Sequence, residues 1–134
     1  MSWQAYVDSS LVGSGHIDKA VIISAAGDSI WAQSAGFTPS TDELKNIAAI
    51  AGEEGKGGPA TDKAYSDGFH VAGERYIAFN VADRHIYGRQ GKAGVAIVKT
   101  KQAILIGHYS EGIHPGNATQ TVEALADYLT AQGY

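Results

Sequence analysis

Apolar positions along the chain follow two rhythms, and the change between them outlines the fold. Near the start, Trp3, Tyr6, Val7 and Ser10 recur at steps of three and four, with Ser2 placed to cap, so residues 2–12 are expected to be a helix. Gly13 and Gly15 then stop it. Two apolar runs follow, Ala20–Ala25 and Ser29–Gln33, joined through Gly27-Asp28, which reads as a hairpin. Thr38-Pro39-Ser40-Thr41 opens a second helix with Leu44, Ile47, Ala48 and Ala51 on one stripe, ended by Gly52. Residues 52–68 are rich in glycine and polar groups and read as loop.

From residue 69 the period becomes two. Phe69–Val71, Arg75–Val81, His85–Gly88, Val95–Lys99 and Ala103–Tyr109 are strand candidates separated by short connections. Such links force antiparallel neighbours, because a parallel crossover takes about a dozen residues or more. His114-Pro115-Gly116-Asn117 opens a last helix to about Gln132, whose Val122, Leu125 and Leu129 form the buried stripe. The expected class is α+β: a single antiparallel β-sheet flanked by helices, with the N- and C-terminal helices on one face.

Length and composition narrow the function. The 134 residues suit one domain over 1–134, and 44% apolar content fits a globular chain. The net charge of −4 argues against a general nucleic-acid binder, which needs a basic stripe to meet phosphates. With no cysteine, a disulfide scaffold, a thiol nucleophile and a Cys-based zinc site are excluded. The opening Met-Ser-Trp-Gln-Ala-Tyr carries neither a basic nor an apolar leader pattern, so a soluble cytoplasmic protein is expected.

Catalytic motifs are weak. Gly55-Lys56-Gly57 fails the phosphate-loop pattern, which needs Gly-Lys-Ser/Thr on a strand-to-helix turn. His16, His70, His85, His108 and His114 show no metal-ligand spacing and read as scattered surface residues; Glu53-Glu54 read as a solvated helix end. No serine sits in a nucleophile elbow, so an enzyme is disfavoured and neither cofactor nor metal is expected. The aromatics say more. Trp3 and Tyr6 share a helix face, Trp31 lies on a strand, and Tyr128 and Tyr134 lie near the chain end. Burial in the core competes as an explanation. If both terminal helices pack on one sheet face, however, these five rings form an aromatic groove of the kind that receives a polyproline II helix. Burying on the order of 300–400 Å² there gains about 8–10 kcal/mol gross, against an association cost of about 4–15 kcal/mol, so binding of a short peptide is weak.

At this point the chain resembles the profilin family over its whole length. Ser2-Trp3-Gln4-Ala5-Tyr6-Val7-Asp8 is similar to the family's N-terminal signature, and Ala25-Ala26-Gly27-Asp28-Ser29-Ile30-Trp31-Ala32 to its first hairpin. Ile86-Tyr87-Gly88-Arg89, Lys99-Thr100-Lys101-Gln102 and Leu125-Ala126-Asp127-Tyr128-Leu129 resemble the fungal branch. The resemblance implies a cytoskeletal protein that binds monomeric actin, promotes its nucleotide exchange and binds proline-rich proteins through Trp3, Tyr6, Trp31, Tyr128 and Tyr134. It implies an actin face at Arg75, Tyr87, Arg89, Ile113, Gly116, Asn117 and Gln120. It also implies phosphoinositide contacts at Arg84, Arg89, Lys99 and Lys101, residues that equally suit a solvated sheet edge. The alternative from a different class is a small-molecule sensor domain, which requires an interior cavity with the 52–58 loop as its lid.

Overall fold

A computed structural model describes residues 2–134. Its strands are β1 (Lys19–Ser24), β2 (Ile30–Gln33), β3 (Phe69–Val71), β4 (Glu74–Val81), β5 (His85–Gln90), β6 (Ala93–Lys99) and β7 (Ala103–Tyr109). They form one antiparallel sheet in the order β2-β1-β7-β6-β5-β4-β3. The helices are α1 (Trp3–Ala5), α2 (Thr41–Gly52), α3 (Pro59–Ser66) and α4 (Pro115–Ala131).

Strand position explains strand sequence. Central β7 is buried at every position, and its Ala103–Gly107 stretch reads as an unbroken apolar run, as suits a strand covered on both faces. Near the edge, β4 alternates, with Tyr76 and Ala78 buried and their neighbours exposed. One face of the sheet packs Ala20, Ile22, Ala96, Val98 and Leu105 against Tyr6, Val7, Leu11 and the α4 stripe Val122, Leu125 and Leu129. The other packs Val21, Ile23, Ile97, Ile104 and Ile106 against Leu44, Ile47 and Ile50 of α2 and Ala64 of α3. The two terminal segments therefore share one side of the sheet.

The first helix is not a single α-helix. After α1 the chain forms a π-helical turn over Tyr6–Leu11 and a 3₁₀ turn over Val12–Ser14. At 3.6 residues per turn Tyr6, Val7 and Leu11 would spread over about 140°. A π turn places residue i+5 beneath residue i, so Leu11 comes under Tyr6 and all three reach the core. Ser2 does cap, its hydroxyl accepting from Ala5 N–H at 3.2 Å.

The 52–68 segment also departs from expectation, because it contains α3. Pro59 stands in the first turn, where no N–H is required. Glu53, expected as a solvated helix end, caps α3 instead: its carboxylate accepts from Ala60 N–H at 3.1 Å, Thr61 N–H at 2.7 Å and the Thr61 hydroxyl. Those bonds, first from the Thr61 hydroxyl, hold the Glu53 carboxyl below its ordinary range. The capping signal was invisible in sequence because donor and acceptor lie eight residues apart across a turn.

The β1–β2 hairpin turns at Gly27, whose φ of +75° already favours glycine. A Cβ there would also lie 2.6 Å from the Leu44 carbonyl oxygen of α2. Gly27→Ala is therefore expected to lower stability by about 2–4 kcal/mol, combining left-handed strain with a backbone clash. Gly36→Ala, at φ +77° with nothing within 4 Å, should cost only about 1 kcal/mol. Urea denaturation midpoints of the two variants check this; equal losses would show that packing under α2 does not matter.

Candidate functional site

Two local devices hold the chain ends together. Gln4 uses its amide as a backbone mimic: Nε2 donates to the Gln33 carbonyl at 2.9 Å, and Oε1 accepts from Gln33 N–H at 3.3 Å. This pins the N-terminal segment to the free edge of β2 and sets Trp3 against Trp31. At the other end, the β6–β7 turn grips the last residue. The Tyr134 main-chain oxygen accepts from Gln102 N–H at 2.5 Å and from the Thr100 hydroxyl at 2.8 Å. Chain ends usually fray, but this one is anchored.

The result is a connected set of rings. Trp3 lies 4.8 Å from Trp31, 5.7 Å from Tyr6 and 5.2 Å from Tyr134, and Tyr6 lies 6.2 Å from Tyr128 (centroid distances). Trp3, Tyr6, Tyr128, Gln132 and Tyr134 line a depression of about 250 Å³. Exposure is uneven. Tyr128 and Tyr134 are 50% and 42% exposed, the tryptophans are half-buried, and Tyr6 is buried at 8%. Tyr6 is thus mainly a floor residue, not the open groove wall expected from sequence. Burial, with the Tyr128 and Tyr134 hydroxyls nearby, raises its phenol above the ordinary value, so it stays protonated.

A second surface lies at the other end of α4. Gly116, Asn117 and Gln120 are exposed on its first turns, and Ile113 before it is half-buried. Beside them the α4 side of β4, and of β5 beyond Tyr87, has no helix of the described residues over it. Ile77 and Phe79 are 37% and 44% exposed there, with the Arg89 guanidinium 4.7 Å from the Phe79 ring centre. Arg75 is exposed on the same strand, its Nε donating to the Asp67 carbonyl at 2.6 Å. Ile77 and Phe79 were missed as site residues. Their signal was present: both are apolar, yet out of phase with the buried Tyr76 and Ala78.

Tyr87 joins β5 to α4. Its hydroxyl donates to Glu123 at 2.9 Å, and its ring stacks on His85 at 4.2 Å. Burial, and then the accepting Glu123 carboxylate, push the Tyr87 phenol above its ordinary value. Burial lowers His85, with Glu123 pulling the other way. Arg84 pairs with Glu123 at 2.5 Å and with Asp127 at 2.8 Å. Of the four cations singled out for lipid, Arg84 is therefore neutralised by two carboxylates and Arg89 lies on Phe79. Lys99 is half-buried and Lys101 exposed. Arg84 and Arg89 are about 16 Å apart along the chain direction, so the four do not form one patch.

His108 corrects another expectation. It is not a surface histidine but only 7% exposed, with Nδ1 2.6 Å from Asp18.

Comparison with known proteins gives a consistent family. The family model described as Profilin matches residues 1–134. The chain is 47% identical to a profilin of Schizosaccharomyces pombe and 49% identical to profilin-2 of Acanthamoeba castellanii, each over 134 residues and the full length of both chains. A crystal structure of the Schizosaccharomyces pombe protein superposes with a TM-score of 0.90 at 46% identity, covering 99% of this chain and 100% of that one.

Because Glu123 is the shared partner of Arg84 and Tyr87, Glu123→Gln is expected to destabilise by roughly 1 kcal/mol after allowance for solvent screening. The deficit relative to wild type should shrink in about 0.5 M salt. Paired urea titrations at low and high salt check it; no deficit at low salt would contradict the tie.

Proposed function

The chain belongs to the profilin family, whose members are actin-binding regulators, and we propose that it binds monomeric actin on one surface and proline-rich segments on another. The aromatic shelf takes the proline tract. Proline supplies carbonyl acceptors but no N–H. The shelf supplies the reverse: flat apolar rings with indole N–H and phenol O–H donors at their edges. Trp3, Trp31, Tyr128 and Tyr134 make the contact over the Tyr6 floor.

The bare half of the sheet takes actin. Arg75, Tyr87 and Arg89, with Ile113, Gly116, Asn117 and Gln120, surround Ile77 and Phe79, which give the patch an apolar centre inside a polar rim. Nucleotide exchange on actin follows by population shift: the protein prefers an actin state with an opened nucleotide cleft, since equal affinity for both states changes nothing. The lipid-headgroup reading is not part of the proposal, because Arg84 is already paired.

The observation that carries this reading is the separation of the two surfaces. Tyr128 and Asn117 are 11 residues apart on one helix, about 16 Å along its axis, so both faces can be occupied together. A proline tract then holds the protein near an assembly site and raises the local concentration of the actin it carries.

Tryptophan fluorescence titrated with oligoproline should show a saturable change that Trp3→Ala abolishes. Arg89→Glu and Phe79→Ala should each weaken actin-monomer binding by about tenfold or more while leaving the proline response intact. Loss of both responses in one folded variant contradicts the two-surface assignment.

A further inference from the structure

The sensor alternative needs a cavity lidded by the 52–58 loop. The cavity of about 400 Å³ beside His108 and Tyr76, on the α2 side of the sheet, has no residue of that loop in its lining. Polar chemistry that neither binding surface uses lies instead in the β6–β7 turn, at Thr100 and Gln102.

Gln102 spends both ends of its backbone on distant parts of the chain. Its N–H donates to the Tyr134 main-chain oxygen at 2.5 Å, and its carbonyl accepts from Ala25 N–H at 2.9 Å. Ala25 follows β1 in the hairpin whose second strand carries Trp31. One residue therefore ties the hairpin that bears one ring of the shelf to the residue that bears another. Its side chain adds a bond from Nε2 to the Gly133 carbonyl at 3.1 Å. Thr100 is only 6% exposed. Its hydroxyl donates to the same Tyr134 oxygen at 2.8 Å and accepts from Ala103 N–H at 3.1 Å.

The other side of the last residue is held as well. The chain reverses at Gly133, φ +93°, and Tyr134 N–H donates to the Leu129 carbonyl at 2.9 Å. Tyr134 thus has both its N–H and its main-chain oxygen engaged. Its side chain, by contrast, is 42% exposed, lies edge-on to Trp3 and belongs to neither core cluster. Holding an exposed ring this firmly adds little to the core. It does serve a binding surface. A polyproline II helix is itself stiff, with three residues per turn, so rings held at a set spacing meet it with little loss of conformational freedom.

We propose that Thr100 and Gln102, neither of which lines the aromatic depression, are positioning residues for proline recognition that hold the Tyr134 ring in its binding position in the free chain. The inference rests on the proline-tract reading of the shelf and adds which residues outside the shelf set its affinity.

The test is a double-mutant cycle on the full chain, with oligoproline affinity read by tryptophan fluorescence and actin-monomer affinity by calorimetry. Thr100→Val keeps the side-chain shape and removes the donor. It should weaken oligoproline binding about three- to tenfold and leave actin affinity within about twofold. Thr100→Ser keeps the hydroxyl and should stay within about twofold of wild type. In the Tyr134→Ala background, Thr100→Val should change oligoproline affinity by less than about 1.5-fold, because the anchor then has no ring to hold. The ¹H–¹⁵N NOE of the Tyr134 amide should fall in Thr100→Val before any ligand is added. Wild-type affinity in Thr100→Val, or an equal loss in the Tyr134→Ala background, overturns the proposal and leaves the proline reading intact. A wild-type chain without any oligoproline response removes both. If Thr100→Val does not fold, Gln102→Ala is read in the same cycle. It removes the bond to Gly133, and a loss of about twofold or more is expected only when the Tyr134 ring is present; no such loss overturns the proposal.

Discussion

Seven strands at about 4.8 Å spacing make a sheet roughly 30 Å wide, and a helix with its side chains covers only about 10–12 Å of it. On the side that carries both chain ends, α4 and the N-terminal segment cover β1, β7 and β6 and then run out. Both surfaces proposed for binding on that side lie at the margins of this cover. The aromatic rings gather where the two terminal segments meet over the β2 edge. The bare strands β4 and β5 keep Ile77 and Phe79 in solvent beside the start of α4. On the opposite face α2 and α3 likewise cover only part of the sheet, and neither lines the cavity beside His108 and Tyr76.

The margins are stiffened by side chains that imitate or cap backbone. Gln4 completes the hydrogen bonding of an edge strand, Thr100 and Gln102 hold the last residue, and Glu53 caps a helix from outside it. Each ties together elements distant in the chain or joins a turn to a helix start. Each also fixes a surface without adding apolar area, which keeps the rings and the bare strands available. A ring held in place by its neighbours loses little freedom when a ligand arrives, and that lowers the ordering cost of an otherwise weak peptide contact.

The sequence made the periodic features legible. The switch from a helical to a two-residue period at Phe69 located β3 to β7, and the α4 stripe Val122, Leu125 and Leu129 lies in the core as its spacing required. Gathering of the five rings on one side was foreseeable once both terminal helices were assigned to one face. What escaped was long-range or non-periodic. The π turn replaces a clean helix because Leu11 must return beneath Tyr6, which no 3.6-residue pattern announces. The α3 helix hid in a polar stretch whose start depends on Glu53. His108 looked like one more scattered histidine, and only the pairing of β1 with β7 brings it beside Asp18, 90 residues away.

Simultaneous occupancy tests the central claim most directly. Actin-monomer affinity should be measured by titration calorimetry with the chain alone and again with oligoproline present at saturation. Two surfaces at opposite ends of α4 require the affinity to stay within about twofold, and a ternary complex to sediment as one species. Displacement of actin by oligoproline would mean that the aromatic shelf and the bare strands are not separate sites.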